Sequence, residues 1–118
     1  MSKVVFVLVL TVAMPSNAGE PLTIRVSPRA AMAPAIITVR AIIEADTDNR
    51  ALEVIAQSPD FYRSSYVELD GANAQRVNVF QFRNLPSGTY EVTSVLVGSR
   101  GRRAAAAGYF QVTSSPGR

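Results

Sequence analysis

The sequence predicts an all-β protein, a two-sheet sandwich of seven antiparallel strands that follows an N-terminal export signal. Three observations support this prediction. After position 18 the chain is rich in Val, Ile, Thr and aromatic residues, and apolar residues recur at every second position, the period of a strand with one buried face. Pro, Gly, Asn and Asp divide the chain at short intervals, as in all-β sandwiches. No stretch shows an apolar stripe with the 3.6-residue period of a helix.

The first 18 residues have the three-part plan of a secretory signal peptide. Lys3 gives a positive start, residues 4–14 are apolar, and small residues precede a cleavage site after Ala18. An apolar run of this length spans roughly 16 Å as a helix, too short for a hydrocarbon core of about 30 Å. We therefore expect residues 1–18 to be removed and residues 19–118 to form one secreted or periplasmic domain, with no membrane span in the mature form.

Length and composition exclude several classes of function. The 118 residues suffice for one domain. The chain contains no Cys and no His, which excludes disulfides, thiol nucleophiles, Ser-His pairs and metal sites built on thiolate or imidazole ligands. Without residues 1–18 the chain has 11 Arg and 9 acidic residues, a net charge of +2. This is not the block of positive charge typical of a nucleic-acid binder, so we expect no nucleic-acid partner. Because Cys and His are missing and no other catalytic set stands out, we also expect no cofactor and no catalytic residue.

Alternation and turn residues together predict the seven strands. They span residues 22–27, 35–45, 51–57, 62–69, 75–83, 89–97 and a last strand from 102 or 103 to 113. On the second strand Val39 and Ala41 point inward and Arg40 outward, and on the last strand Phe110 and Val112 fill the core. Seven short strands in a chain of this size suit an immunoglobulin-like sandwich. A small barrel is the alternative.

One corner of the predicted sandwich resembles a known group of domains. Residues 80–92 read FQFRNLPSGTYEV, and Leu-Pro-x-Gly-Thr-Tyr between the last strands is typical of bacterial immunoglobulin-like and carboxypeptidase regulatory-like (prealbumin-like) domains. The resemblance implies a β-sandwich module that is usually non-catalytic, and it carries over no functional residue. We expect Leu85 to plug the end of the core. Tyr90 should bury its ring and donate its hydroxyl to a carbonyl of the corner, as in a tyrosine corner.

A first candidate binding surface is a group of arginines on the last hairpin. Arg100, Arg102 and Arg103 crowd one turn, and the planar guanidinium group suits carboxylates, phosphates and sulfates. Lipid phosphates, an acidic glycan or an acidic protein would be the partner. The alternative is a charged turn that keeps the hairpin soluble and protects an edge strand.

A second candidate surface is aromatic. Phe61, Tyr62 and Tyr66 flank a turn and the start of the fourth strand, and aromatic residues are enriched at interface hot spots. The alternative is burial of these rings in the core. Tyr66 is the best candidate to point outward, because Val67 and Leu69 occupy the other face.

The densest acidic segment suggests a third kind of site. Glu44, Asp46, Asp48 and Asn49 lie within one turn, and Ca²⁺ takes six to eight oxygen ligands of this kind. The segment departs from the EF-hand pattern at Arg50. A solvated hairpin turn is the alternative.

These observations together predict an exported, non-catalytic interaction or structural module. Its partner would be an envelope or extracellular protein or an acidic glycan. The alternative is a small-ligand or Ca²⁺-dependent binding protein, or an enzyme that works with carboxylates alone.

Overall fold

The computed structural model describes residues 20–114, and the predicted signal peptide of residues 1–18 lies outside this range. The described chain forms eight strands and one short 3-10 helix, and no helix within it is long and apolar enough to cross a membrane. The elements are β1 (Leu22–Ser27), β2 (Ala30–Met32), β3 (Ala35–Ile43), β4 (Ala51–Ser58), β5 (Phe61–Glu68), the 3-10 helix (Gly71–Asn73), β6 (Val77–Leu85), β7 (Gly88–Gly98) and β8 (Gly101–Thr113).

The strands form two sheets. The three-stranded sheet has the order β1-β3-β6, and the five-stranded sheet has the order β2-β8-β7-β4-β5. Neighbouring strands are antiparallel, except that β2 runs parallel to β8. The prediction of an all-β, two-sheet protein is therefore confirmed.

The prediction of seven antiparallel strands is wrong in one respect, since it omitted β2. This strand has three residues, Ala30–Met32, and lies between Pro28 and Pro34. Its alanines have low strand propensity and three residues show no alternation, so its position depends on pairing with Gln111–Thr113 of β8. The other seven strands are present, and their bounds differ from the predicted ones by at most two residues.

The core lies between the sheets and has two adjoining parts. Alternation along β3 buries Ile37, Val39, Ala41 and Ile43 and exposes Arg40, as predicted. The larger part surrounds aromatic residues of β7 and β8, and the smaller part is built on leucines at the opposite end. Each fully buried Val, Leu, Ile or Phe side chain stabilises the fold by about 1.5–3 kcal/mol.

Small residues of β8 close one side of the core between the two sheets. Ala104 and Ala106 pack against the smaller part of the core beside Ile24 of β1. A Cβ atom added to Gly108 would lie 3.1 Å from Cγ2 of Val26, which is tighter than ordinary contact. The alanines and Gly108 therefore allow β1 of one sheet to lie directly against β8 of the other.

The corner between β6 and β7 is a tyrosine corner. Tyr90 is fully buried, and its hydroxyl donates a hydrogen bond to the carbonyl oxygen of Pro86 at 2.7 Å. Its ring stacks on Phe110 with centroids 4.6 Å apart and meets the edge of Phe61 at 5.9 Å. Leu85 is fully buried at the end of the core. The structure confirms both expectations for this corner, and burial raises the pKa of the Tyr90 hydroxyl above its usual value.

We expect Tyr90→Phe to lower the free energy of unfolding by about 1–3 kcal/mol, because it removes the hydrogen bond that the buried Tyr90 donates to the corner. Urea denaturation of both proteins measures this difference. Tyr62→Phe is the matched control, since the Tyr62 side chain is exposed and its loss of a hydroxyl should leave stability unchanged. Equal stability of Tyr90→Phe and the wild type would contradict the role given to this hydrogen bond.

Candidate functional site

The outward face of the five-stranded sheet carries most of the tyrosines, and we call it the tyrosine face. The strand register aligns its side chains in rows. In one row Tyr62, Gln57, Glu91 and Tyr109 are consecutive partners across β5, β4, β7 and β8. In a second row Tyr66 of β5 is followed by Glu53, Val95 and Ala105. Because alternate residues of each strand point to opposite faces, these side chains lie outside while their sequence neighbours form the core.

Three of the four tyrosines of the chain lie on this face and are well exposed. The exposed fractions are 62% for Tyr62, 63% for Tyr66 and 62% for Tyr109. Three strand spacings separate Tyr62 from Tyr109, which is about 14 Å, and four residues of β5 separate Tyr62 from Tyr66, which is about 13 Å. The rings therefore mark three corners of a broad platform.

Apolar and acidic side chains both lie in the centre of the tyrosine face, on β4 and β7. Ile55 and Val95 lie between the rings and are mostly covered. Glu53 and Glu91 lie beside them, and the Tyr109 hydroxyl is 3.4 Å from Oε2 of Glu91. The centre of the face therefore combines covered apolar groups with two carboxylates, and the three rings lie at its margins.

Only part of the predicted aromatic group belongs to this face. Tyr62 and Tyr66 point outward as candidates for binding, whereas Phe61 turns inward against Tyr90 and is half-buried. The guanidinium carbon of Arg63 lies 5.0 Å from the centroid of the Phe61 ring and covers it from solvent. Phe61 is therefore a packing residue at the edge of the core.

The sequence interpretation missed Tyr109. The signal was present, because the inward assignment of Phe110 and Val112 on the last strand places Tyr109 on the outer face by alternation. To recognise that Tyr109 shares a face with Tyr62, one needs the strand order of the sheet, in which two strands separate β8 from β5. The sequence alone does not contain that information.

The three candidate arginines do not form one surface. Arg100 and Arg102 are exposed at the β7–β8 hairpin. Leu96 pairs with Ala104 and Val97 pairs with Arg102, so Arg103 is the extra residue at an irregularity in the ladder. Bulges re-aim side chains, and this one turns Arg103 back toward the β3–β4 loop. Only Arg100 and Arg102 remain available to a partner on this hairpin.

Arg103 joins the β7–β8 turn, which we call the arginine turn, to the acidic β3–β4 loop, which we call the acidic turn. Its Nη2 lies 3.0 Å from Oδ2 of Asp46, its Nη1 donates to Oδ1 of Asn49, 2.6 Å away, and its Nε lies 3.9 Å from Oδ2 of Asp48. Asn49 is fully buried and donates from Nδ2 to the carbonyl oxygen of Glu44 at 2.9 Å. We call Asp46, Asp48, Asn49 and Arg103 the arginine clamp.

The arginine clamp accounts for the acidic segment that suggested calcium. The guanidinium group of Arg103 already contacts the oxygens of Asp46 and Asn49 that would have been ligands. Within residues 20–114 no group of three or more His, Cys, Asp or Glu side chains is placed to hold a metal ion. The geometry therefore favours a structural ion-pair network at this turn.

We expect Arg103→Ala to lower the free energy of unfolding by about 1–3 kcal/mol, because Oδ1 of the buried Asn49 loses its donor. Chemical denaturation measures the loss. Arg102→Ala is the matched control, since the neighbouring Arg102 is exposed. A loss as large in the control as in Arg103→Ala would contradict the clamp.

Asp48 ties the clamp to the tip of the β7–β8 hairpin. Its Oδ1 accepts a hydrogen bond from the backbone N–H of Ser99 at 3.0 Å and lies 3.6 Å from Nε of Arg50. The hydrogen bonds from Ser99, followed by the charges of Arg50 and Arg103, hold the pKa of the Asp48 carboxyl below its usual value of 3.8. The folded protein therefore favours the ionised form.

This lowered pKa predicts a loss of stability in acid. A carboxyl whose pKa is lower in the folded state stabilises the fold fully above its unfolded-state pKa, and that contribution disappears as the pH falls through the folded-state pKa. We expect Asp48→Asn to show a shallower fall in melting temperature than the wild type between about pH 5 and pH 2. Asp60→Asn, in the exposed β4–β5 turn, serves as control and should keep the wild-type slope. A wild-type slope in Asp48→Asn would refute the assignment.

No protein-family model matches the chain, and a search of curated proteins also finds no match. Solved structures resemble it in fold. A superoxide reductase (neelaredoxin) from Ignicoccus hospitalis aligns with a TM-score of 0.54 and 13% identity over 81% of this chain and 81% of that chain. A myokine aligns with a TM-score of 0.53 and 14% identity over 80% of this chain and 96% of its own.

A third similar structure is a family 76 glycoside hydrolase from a bovine Bacteroides thetaiotaomicron strain. It aligns with a TM-score of 0.55 and 18% identity over 80% of this chain, but over only 20% of the hydrolase. At such identities the likeness establishes the all-β fold alone.

Proposed function

We propose that the protein is an exported, non-catalytic interaction module of the immunoglobulin-like type, and that it binds a protein of the cell envelope through the tyrosine face. The secretory or periplasmic location rests on the signal-peptide pattern of residues 1–18. The observation that carries the binding proposal is the presence of three exposed tyrosines on one face of one sheet.

The order of the strands supports the immunoglobulin-like assignment. The sheet β1-β3-β6 corresponds to strands A, B and E of such a sandwich, and the order β8-β7-β4-β5 corresponds to G, F, C and C′. The tyrosine corner between β6 and β7 lies at the start of the strand corresponding to F, where this fold places it. The corner sequence also resembles bacterial immunoglobulin-like and carboxypeptidase regulatory-like modules, and we assign the chain to that broad group.

The composition of the tyrosine face supports a protein partner. Tyrosine combines a large apolar ring with a hydroxyl and is enriched among hot-spot residues. Four strands about 4.8 Å apart and some eight residues long give a face of about 20 Å by 25 Å, the scale of one side of a standard protein interface. Glu53, Glu68 and Glu91 give the face three carboxylates, which favours a partner with basic residues.

The experiment is affinity capture from an envelope extract of the protein's own host, with the captured material tested for sensitivity to protease. We expect a protein to be captured by the wild type and lost with Tyr62→Ser/Tyr66→Ser/Tyr109→Ser. For the purified pair, removal of one hot-spot ring should weaken binding by about 30-fold or more, which corresponds to about 2 kcal/mol.

Two control variants make this experiment decisive. Val77→Ser/Val79→Ser changes exposed apolar residues of the other sheet and should leave capture intact. Arg100→Ser/Arg102→Ser tests the hairpin that the sequence also suggested. Capture retained by the tyrosine variant, or lost only in the arginine variant, would contradict binding through the tyrosine face. Captured material that resists protease and contains sugar would replace the protein partner by a glycan.

A further inference from the structure

The outward face of the three-stranded sheet carries two arginines directly opposite one another. Arg25 of β1 is the partner of Arg40 of β3, and in the next outward row Ser27 is the partner of Thr38. The residues between them point into the core, so all four side chains lie on the outer face. Directly opposite side chains in an antiparallel pair have Cβ atoms about 4.5–5.5 Å apart. The two guanidinium groups therefore occupy one small region.

No carboxylate of the sheet balances this pair. None of β1, β3 and β6 contains an Asp or a Glu. Within residues 20–114 the ion pairs join Arg50 and Arg103 to aspartates of the β3–β4 loop. Arg25 and Arg40 have no acidic partner there. Like charges directly opposite one another destabilise a sheet. In the free protein the repulsion between the two arginines therefore destabilises the sheet locally. A bound anion would remove this repulsion.

The same four side chains line a surface depression. Arg25, Ser27, Thr38 and Arg40 line an open depression of about 280 Å³. Two guanidinium groups offer planar forks of N–H donors, and the two hydroxyls add further donors beside them. A tetrahedral oxyanion has enough oxygens to accept from both forks at once, whereas a carboxylate has only two.

We propose that Arg25, Ser27, Thr38 and Arg40 form a binding site for a phosphoryl group, supplied either by free phosphate or by a phospholipid headgroup. The site lies on the sheet opposite the tyrosine face and does not depend on the function proposed for that face.

The surroundings of the site bear on the source of the phosphoryl group. Val79 is the neighbour of Arg40 on β6 and is 56% exposed. Val77 and Ile36 on the same outer face are 46% and 50% exposed. Basic residues among exposed aliphatic side chains are the composition of surfaces that lie on anionic membranes. A soluble phosphate ion would make no use of these aliphatic groups.

The first test measures the melting temperature in sodium phosphate against sodium chloride at equal ionic strength. We expect a saturable rise for the wild type, and at least a tenfold weaker phosphate affinity for Arg25→Gln and for Arg40→Gln. Without phosphate, either variant should melt at or above the wild-type temperature, because the repulsion between the arginines is gone. Arg102→Gln is the matched control, since Arg102 is also exposed but lies on the β7–β8 hairpin of the other sheet, and it should keep the wild-type response.

The second test measures co-sedimentation with vesicles of phosphatidylglycerol and, in parallel, of phosphatidylcholine. Binding to phosphatidylglycerol alone, lost in Arg25→Gln and Arg40→Gln, assigns the phosphoryl group to a headgroup. Phosphate stabilisation without vesicle binding assigns it to a soluble ion.

Two results would overturn the proposal. One is the absence of both responses in the wild type. The other is a response of equal size in the wild type and in both arginine variants, because phosphate also stabilises proteins by exclusion from the whole surface and anionic vesicles attract any basic region.

Discussion

The pairing register of β7 is the constraint on which the rest of the domain depends. This strand lies between β4 and β8 in the five-stranded sheet, and its residues alternate between the core and the tyrosine face. A slip of one residue would exchange Tyr90 with Glu91 and would move every partner in the same way. The stacking of Tyr90 on its ladder partner Phe110 fixes the start of β7 against β8, and the contact of Asp48 with Ser99 fixes the residue that follows its end. The core and the exposed rings are thus positioned by the same two anchors.

The arginine clamp shows why charged segments are difficult to interpret from sequence. The acidic turn and the arginine turn are separated by about fifty residues, and each resembled a binding site when taken alone. In the folded protein they neutralise each other, because an extra residue in β8 turns Arg103 toward Asp46 and Asn49. No pattern in the sequence predicts a bulge at Arg103. The alternation also did not reveal that Arg25 and Arg40 are partners, since register between separate strands depends on the whole sheet.

Features with a local cause were predicted well. The alternation of β3 and the turn residues around it depend on neighbours in the chain, and the strand bounds followed from them. The tyrosine corner also has a local cause, because Leu85, Pro86 and Tyr90 lie within six residues. The short strand β2 and the platform formed by Tyr62, Tyr66 and Tyr109 depend on contacts between distant segments. Local sequence patterns do not specify those contacts.

The distribution of charge between the two sheets makes the domain electrostatically asymmetric. The strands of the three-stranded sheet carry arginines and no carboxylate, while Glu53, Glu68 and Glu91 lie on the outer face of the other sheet. Since the net charge is small, the electric field of a charged surface acts on this domain mainly by turning it. Within a Debye length, about 8 Å at physiological ionic strength, a negative surface would align the arginines toward itself and leave the tyrosines facing outward. The domain therefore has a preferred orientation at such a surface before any specific contact forms.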